Sequence, residues 1–237
     1  MPPIHFFHAI TLRTAGALLA AFVTALMTFS AHAEVVISNT PNGTTGGNEL
    51  SASRWKALQF TTNDRPARIN AITLGLNPPG DTPPLQTAIA LPAQFNVELL
   101  LYSVVNGQPA AQIASTGPQS VNMTQRSQMY SFEVGPGFVL APNTRYALVI
   151  RSDATGIKWG RLGDGVTTPS AFTGYAYNGF SLTENTGATW ADTNLSNNAV
   201  VIDVTFLAMP VPTLSAWAMI FMAIFMALFA AWRLLKP

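Results

Sequence analysis

Hydrophobic and polar residues alternate in short segments over the middle of the chain, and Gly, Pro and Asn separate one segment from the next. In residues 200–206 one set of alternate positions is wholly apolar, as a strand with one buried face requires. β-Branched and aromatic residues, which favour strands, are common in these segments. The pattern predicts strands over residues 55–62, 68–76, 95–105, 128–134, 145–151, 171–177 and 200–206.

The connections between these segments carry turn signals. Asn106-Gly107 tolerates the positive φ values of a type I′ turn, so residues 99–105 and 108–115 are predicted to form a hairpin. Residues 77–92 contain five prolines, which exclude a central strand and predict a long surface loop. Seven or more short strands predict an all-β domain, an antiparallel β-sandwich with a jelly-roll-like path.

Residues 1–33 have the organisation of a secretion signal. Arg13 precedes an uncharged run over residues 15–29, and Ala31 and Ala33 are the small residues that signal peptidase requires before its cleavage site. We therefore expect cleavage between Ala33 and Glu34. The alternative is an uncleaved membrane anchor, for which the apolar run is short.

The C-terminal segment predicts a membrane-spanning helix. Residues 214–232 contain one polar side chain, Ser215, and a helix of that length is about 28 Å long, close to the hydrocarbon thickness of a bilayer. Arg233 and Lys236 follow directly, so the tail is expected to be cytoplasmic and the preceding domain to lie outside the inner membrane. The predicted organisation is a signal peptide over residues 1–33, an ectodomain over 34–210 and an anchoring segment over 211–237.

A short motif precedes this span. Val211-Pro212-Thr213-Leu214, with Trp217 three residues later, resembles the IPTL-CTERM sorting signal of Gram-negative bacteria, a relative of the PEP-CTERM signals. Val211 stands where that motif has Ile, and the basic tail is thinner than usual. The resemblance implies recognition by a membrane-embedded exosortase-like transpeptidase, cleavage near the motif and delivery to the cell surface. A plain single-pass anchor is the alternative.

Composition excludes several classes of site. The chain has no Cys, and its histidines all lie within the predicted signal peptide, at His5, His8 and His32. The mature chain would therefore lack the residues for Ser-His-Asp or Cys-His catalysis, for zinc sites built on His or Cys, and for disulfides. Residues 34–210 contain 9 basic and 11 acidic residues, a net charge of −2 that argues against binding of nucleic acid.

The middle of the chain resembles the choice-of-anchor R domain of bacterial exported proteins over roughly residues 35–161. Three stretches carry the resemblance, and they are residues 57–62 with 69–76, residues 97–102 with 106–109, and residues 130–132 with 140–149. The family is defined by its anchors. The resemblance therefore implies a surface domain and no particular activity.

Aromatic residues in the second half of the chain raise the alternative of a carbohydrate-binding module. Trp159, Tyr175, Tyr177 and Trp190 lie among several asparagines, and aromatic rings stack on sugars while amides bind sugar hydroxyls. Cross-strand packing is the other interpretation, because Tyr175 and Tyr177 share one face of the predicted strand 171–177. We expect packing to account for them.

Carboxylates offer the remaining chemistry. Two of Asp153, Asp164 and Asp192 could form the acid pair of a glycosidase. Asp153, Asp164 and Asp203 are candidates for a Ca²⁺ site. Solvated loop acids are the simpler interpretation of both sets. The sequence therefore predicts an exported, non-enzymatic surface or matrix protein of a Gram-negative envelope with exopolysaccharide, with no cofactor and no metal site. Its predicted partners are signal peptidase, the exosortase-like enzyme, the membrane and, in the alternative, surface polysaccharide.

Overall fold

The alternating segments form strands, which pair in antiparallel fashion throughout. The computed structural model describes residues 33–39, 45–78, 81–82, 85–86, 93–125, 128–161, 169–193, 197–207, 222 and 224–226. The chain divides into two units, Met1–Leu207 and Ala208–Pro237, and the strands found among the described residues lie in the first. Four described residues of the second unit, 222 and 224–226, are helical.

The first sheet has eight strands. Six of them lie in the order β13-β1-β16-β4-β12-β2, and β9 and β10 also pair with β4. Their bounds are β1 Ala33–Asn39, β2 Thr45–Leu50, β4 Ala67–Asn77, β9 Gln128–Glu133, β10 Val139–Leu140, β12 Ile157–Arg161, β13 Ser170–Ala171 and β16 Val200–Phe206.

The second sheet has six strands in the order β15-β14-β3-β11-β7-β8, and two short strands, β5 and β6, pair with each other. The bounds are β3 Trp55–Thr61, β5 Asp81–Thr82, β6 Leu85–Gln86, β7 Ala93–Val105, β8 Gln108–Met123, β11 Arg145–Ser152, β14 Ala176–Thr183 and β15 Ala191–Asp192. The prediction of an all-β, antiparallel fold is confirmed.

Side chains from both sheets share one hydrophobic core, as in a β-sandwich. Ile72 and Ile202 from the first sheet and Leu58, Phe60 and Leu148 from the second are fully buried in it. The alternation along each strand explains this, because every second residue faces the opposite sheet. The burial of these side chains supplies the main driving force for folding.

The outer face of the second sheet carries a smaller apolar cluster. Trp55, Ala57, Leu100, Ala147 and Val149 are buried there, and Trp190 packs against them. Gly187, in the connection between β14 and β15, has no room for a side chain without a close approach to the Trp55 ring, since a Cβ there would lie 3.1 Å from it. This connection therefore lies over the cluster.

The predicted hairpin is confirmed. Asn106 and Gly107 have φ values of 52° and 78°, and β7 pairs with β8 on either side of them. Positive φ at both central residues is the type I′ geometry, which Asn-Gly adopts at low cost. Both strands are longer than predicted, and β8 continues to Met123.

Two predicted segments need correction. The strand predicted over residues 171–177 is interrupted by a turn, because Thr173 and Gly174 adopt φ values of 56° and 78° and the Tyr175 amide donates to the Phe172 carbonyl. The strand β14 begins only at Ala176. The loop predicted over residues 77–92 contains the small hairpin of β5 and β6.

Candidate functional site

The predicted sorting segment belongs to the second unit of the chain. The motif residues Val211, Pro212, Thr213, Leu214 and Trp217 and the basic residues Arg233 and Lys236 lie outside the described residues. Of the predicted span over residues 214–232, only 222 and 224–226 are described. No helix within the described part of the chain is long and apolar enough to cross a membrane. The span therefore stays a prediction from the sequence.

The predicted signal-peptide cleavage site adjoins the first strand. Ala31 lies outside the described residues, whereas Ala33 and Glu34 open β1 and pair with Thr205 and Val204 of β16. The Glu34 carboxylate accepts a hydrogen bond of 2.6 Å from the Thr173 hydroxyl. Cleavage after Ala33 would leave the ladder from Glu34 to Asn39 intact, so the proposed cut is compatible with the fold.

Two of the four aromatic candidates for sugar binding have no accessible ring. Trp159 is 0 % exposed, and its indole Nε1 donates a 2.8 Å hydrogen bond to the Ala199 carbonyl. Tyr175 is 5 % exposed and packs against Phe60 and Phe206. A sugar must reach a ring face to stack on it. The binding role suggested for Trp159 and Tyr175 is therefore corrected, since both are core residues.

The other two aromatic candidates lie on opposite faces of the second sheet. Tyr177 packs against the core between the sheets and donates a 3.3 Å hydrogen bond to the Asn197 side chain, whereas Trp190 packs against the outer cluster. The four rings therefore do not form one cleft. Burial raises the pKa of Tyr175 and of Tyr177 to about 12, because the interior disfavours a phenolate.

The acidic candidates are dispersed. Asp153 follows β11, Asp192 lies in β15, and Asp203 lies in β16 of the first sheet, while Asp164 lies outside the described residues. Within the described ranges, no group of three or more His, Cys, Asp or Glu residues could hold a metal ion. The structure therefore does not bring Asp153 and Asp203 together as a Ca²⁺ site.

Asp153 has a structural role at the end of β11. Its carboxylate accepts hydrogen bonds from the backbone amide of Asn96 at 2.8 Å and from the Asn96 side chain at 2.7 Å. Both hydrogen bonds lower the pKa of Asp153, because they stabilise its charged form, and the bond from the backbone amide has the largest effect. A general acid needs a raised pKa, so Asp153 is poorly suited to that role.

A polar groove crosses the outer face near Asp153. Two cavities of about 280 Å³ and about 420 Å³ share Asn96 and Asp153 in their walls. We define the polar groove by Gln94, Asn96, Glu98, Ser120, Arg151 and Asp153. It is an open surface feature on which several amide, hydroxyl and charged groups converge.

An ion pair forms one end of the polar groove. Arg151 binds one oxygen of Glu98 through Nε at 2.8 Å and Nη2 at 2.5 Å, and the Ser115 hydroxyl donates to the other oxygen at 2.6 Å. The Arg151 guanidinium also lies 5.0 Å from the Trp55 ring. Both carboxylate oxygens of Glu98 therefore accept hydrogen bonds from neighbouring side chains.

A second polar centre lies inside the core. Lys56 occupies an inward position of β3, in step with Leu58 and Phe60, and is 0 % exposed. Its Nζ donates to Asn48 Oδ1 at 2.5 Å and to Asn198 Oδ1. We call Lys56, Asn48 and Asn198 the lysine centre.

Aromatic rings enclose the lysine centre. Lys56 Nζ lies 4.7 Å from the centroid of the Phe180 ring and 5.9 Å from that of Trp159. These two rings contact each other edge to face at 5.3 Å. An ammonium group favours the negative faces of such rings, and its hydrogen bonds to amide oxygens offset part of the cost of burial.

The sequence interpretation missed the lysine centre. The available signal was a lysine within the segment Trp55-Lys56-Ala57-Leu58-Gln59-Phe60, at the same parity as Leu58 and Phe60. Alternation alone places that side chain in the core. Asn48 and Asn198 could not be paired with Lys56 from sequence, because 142 residues separate Lys56 from Asn198 and only the fold brings them together.

Comparison with known proteins assigns one segment of the chain. No curated protein matches the chain. Residues 209–234 match the IPTL-CTERM motif, which supports a sorting signal of the PEP-CTERM type and includes the residues from Val211 to Trp217 that carry the resemblance in the sequence. The signal fits an exported protein of the cell envelope or surface that is sorted by an exosortase-like enzyme.

Proposed function

We propose that this chain is a non-enzymatic protein of the cell surface or extracellular matrix. Its ectodomain is a jelly-roll-like β-sandwich, and an exosortase-like transpeptidase cuts near Val211 to Leu214 before transferring it outwards. The observation that carries the proposal is the IPTL-CTERM motif at residues 209–234. The predicted signal peptide before Glu34 supplies the matching export step.

The motif is suited to recognition by a protease that binds its substrate in an extended conformation. A proline disfavours the helical conformation at the residue before it, so Pro212 predicts from the sequence an extended backbone at Val211. An extended peptide can bind along an enzyme cleft through its main chain, whereas a helical peptide has those groups engaged internally. Pro212 and Thr213 are therefore the residues by which the sorting enzyme recognises the segment.

A double variant tests this proposal. Pro212→Ala with Thr213→Ala should leave the protein in the inner membrane, which membrane fractionation and immunoblotting would show. Pro210→Ala is the matched control, because this proline lies just outside the Pro-Thr-Leu sequence, and the control should reach the surface normally. Normal surface delivery of the double variant would refute the sorting proposal.

The polar groove favours a second candidate function, binding of surface polysaccharide. The amide, hydroxyl and charged groups that converge on this groove can donate hydrogen bonds to sugar hydroxyls and accept them. Gln94 and Ser120 are exposed there and hydrogen-bonded to each other at 3.1 Å. Both side chains are accessible to a ligand, whereas the rings of Trp159 and Tyr175 are buried.

A groove variant separates this candidate from a purely structural role. Gln94→Ala with Ser120→Ala should reduce retention on the host's own polysaccharide severalfold while leaving the melting temperature unchanged. Ser131→Ala, on an exposed position of β9 in the other sheet, is the control and should retain the ligand. Equal retention of the groove variant and the control would exclude polysaccharide binding at this groove.

A further inference from the structure

The lysine centre contains an amine and a carboxamide in direct contact, from opposite sides of the core. Lys56 belongs to β3 of the second sheet, whereas Asn198 lies two residues before β16 of the first. Lys56 Nζ donates to Asn198 Oδ1. The amide carbon of Asn198 is bonded to that oxygen, so the amine lies beside the atom that a nucleophile would attack.

Asn198 is held in place on every side. Its side-chain Nδ2 donates to the Trp159 carbonyl, its backbone carbonyl accepts a 3.2 Å hydrogen bond from the Asn39 side chain, and it is 0 % exposed. The next residue, Ala199, donates to the Gly160 carbonyl at 2.8 Å. Holding two reacting groups in contact raises the rate of their reaction greatly compared with free groups.

We propose that Lys56 and Asn198 form an intramolecular amide bond that joins the two sheets covalently. Lys56 Nζ forms the new bond to Cγ of Asn198, and the bond from Cγ to Nδ2 breaks. Two protons of the Lys56 ammonium group pass to the departing nitrogen, which leaves as an ammonium ion. Atoms and charge balance without an oxidant, a reductant or a cofactor.

Asn198, rather than Asn48, is the acceptor of this bond. Asn198 is fully buried and its amide is bound at both ends, whereas Asn48 is only half-buried, in β2. Asn48 Oδ1 instead holds a second proton of Lys56 Nζ and thereby orients the amine. The Trp159 and Phe180 rings exclude water from the centre, which protects the new bond from hydrolysis.

Such a bond suits an exported β-domain without cysteine. The chain has no Cys and cannot be stapled by a disulfide. A bond from residue 56 to residue 198 would close most of the ectodomain into one loop, and long closed loops restrict the unfolded chain most. The proposal is independent of how the C-terminal signal is processed.

Peptide mapping of the protein as it is purified from the envelope tests the proposal. Digestion with trypsin and endoproteinase Asp-N should give residues 55–63, uncut after Lys56, linked to residues 192–202. The linked product should have the summed mass of the two peptides less one ammonia. A free peptide over residues 57–63 as the main product would overturn the proposal. Loss of ammonia confined to residues 192–202, as from a succinimide at Asn198, would also overturn it.

Variants give an independent readout. Asn198→Ala should abolish the linked peptide, Asn48→Ala should lower its yield because the amine loses an orienting contact, and the control Lys158→Arg should retain it in full. Linkage of Lys56 to the peptide that ends at Arg54 would assign the acceptor to Asn48 and refute the choice of Asn198.

Migration under denaturing conditions separates a covalent bond from hydrogen bonding alone. The cross-link closes a loop that persists in the unfolded chain, so the unaltered protein should migrate differently from Lys56→Met on a denaturing gel. Equal migration of the two chains would overturn the proposal. If a variant fails to fold, the digest of the unaltered protein still decides the question.

Discussion

The two units of this chain differ in how sequence specifies their role. The segment from Ala208 to Pro237 is assigned by a linear motif of a few residues, and its function as a sorting signal can be read without a fold. The unit that ends at Leu207 has a well-defined fold, yet no curated protein matches it. The difference teaches that a sorting signal consists of consecutive residues and can be recognised from the sequence alone. The chemistry of a domain depends instead on residues that folding brings together.

The comparison predicts that variants of the two units change different properties of the protein. Changes within Pro212 and Thr213 should alter the destination of the protein and leave the stability of the ectodomain unchanged. Changes in the core of the ectodomain should alter stability and leave recognition of the sorting signal unchanged. A core variant that folds but is missorted would show that the two units are not independent in function.

The largest expected effect on stability is at Trp159. Trp159→Ala removes a fully buried indole and its hydrogen bond to Ala199, so it should lower the free energy of unfolding by about 3–5 kcal/mol. Trp190→Ala is the control, because Trp190 is only partly buried, against the outer cluster, and its loss should cost less. Chemical denaturation measures both values. A smaller loss for Trp159→Ala than for Trp190→Ala would contradict the assignment of Trp159 to the core.

A smaller effect is expected at alkaline pH. The pKa of Tyr175 is raised from 10.0 to about 12, so the folded state keeps the phenol protonated where the unfolded state ionises. The stabilising contribution is complete below about pH 10 and is lost as pH rises through about 12. Near pH 11 the linkage amounts to about 1 kcal/mol relative to neutral pH.

Tyr175→Phe should remove this part of the pH dependence. Denaturation at about pH 8 and about pH 11 would show a smaller fall in stability for the variant than for the unaltered protein. Tyr177→Phe is a matched comparison, since burial also raises the pKa of Tyr177 to about 12. An unchanged pH dependence in both variants would contradict the burial of these phenols.

Much of the fold follows from local pattern. Alternation predicted β16 over residues 200–206, and Asn106-Gly107 predicted the turn between β7 and β8. These predictions succeeded because the signals act within a few consecutive residues. The segment 171–177 was predicted wrongly, because its aromatic and small residues suit a strand while Thr173 and Gly174 adopt a left-handed turn.

Less of the site chemistry could be predicted. The aromatic residues were correctly located in the sequence, but only the fold shows that Trp159 and Tyr175 face the core and that Trp190 faces the other side of the sheet. Lys56 could have been placed in the core from its parity with Leu58 and Phe60. Its contact with Asn198 depends on the pairing of two sheets, which no local pattern contains.

The most direct test of the sorting account is the C-terminal end of the mature protein, measured by mass spectrometry of separated inner-membrane, outer-membrane and released fractions. The account predicts that the protein in the outer-membrane or released fraction ends close to Val211 to Leu214. A chain that runs intact to Pro237 and is confined to the inner membrane would contradict it.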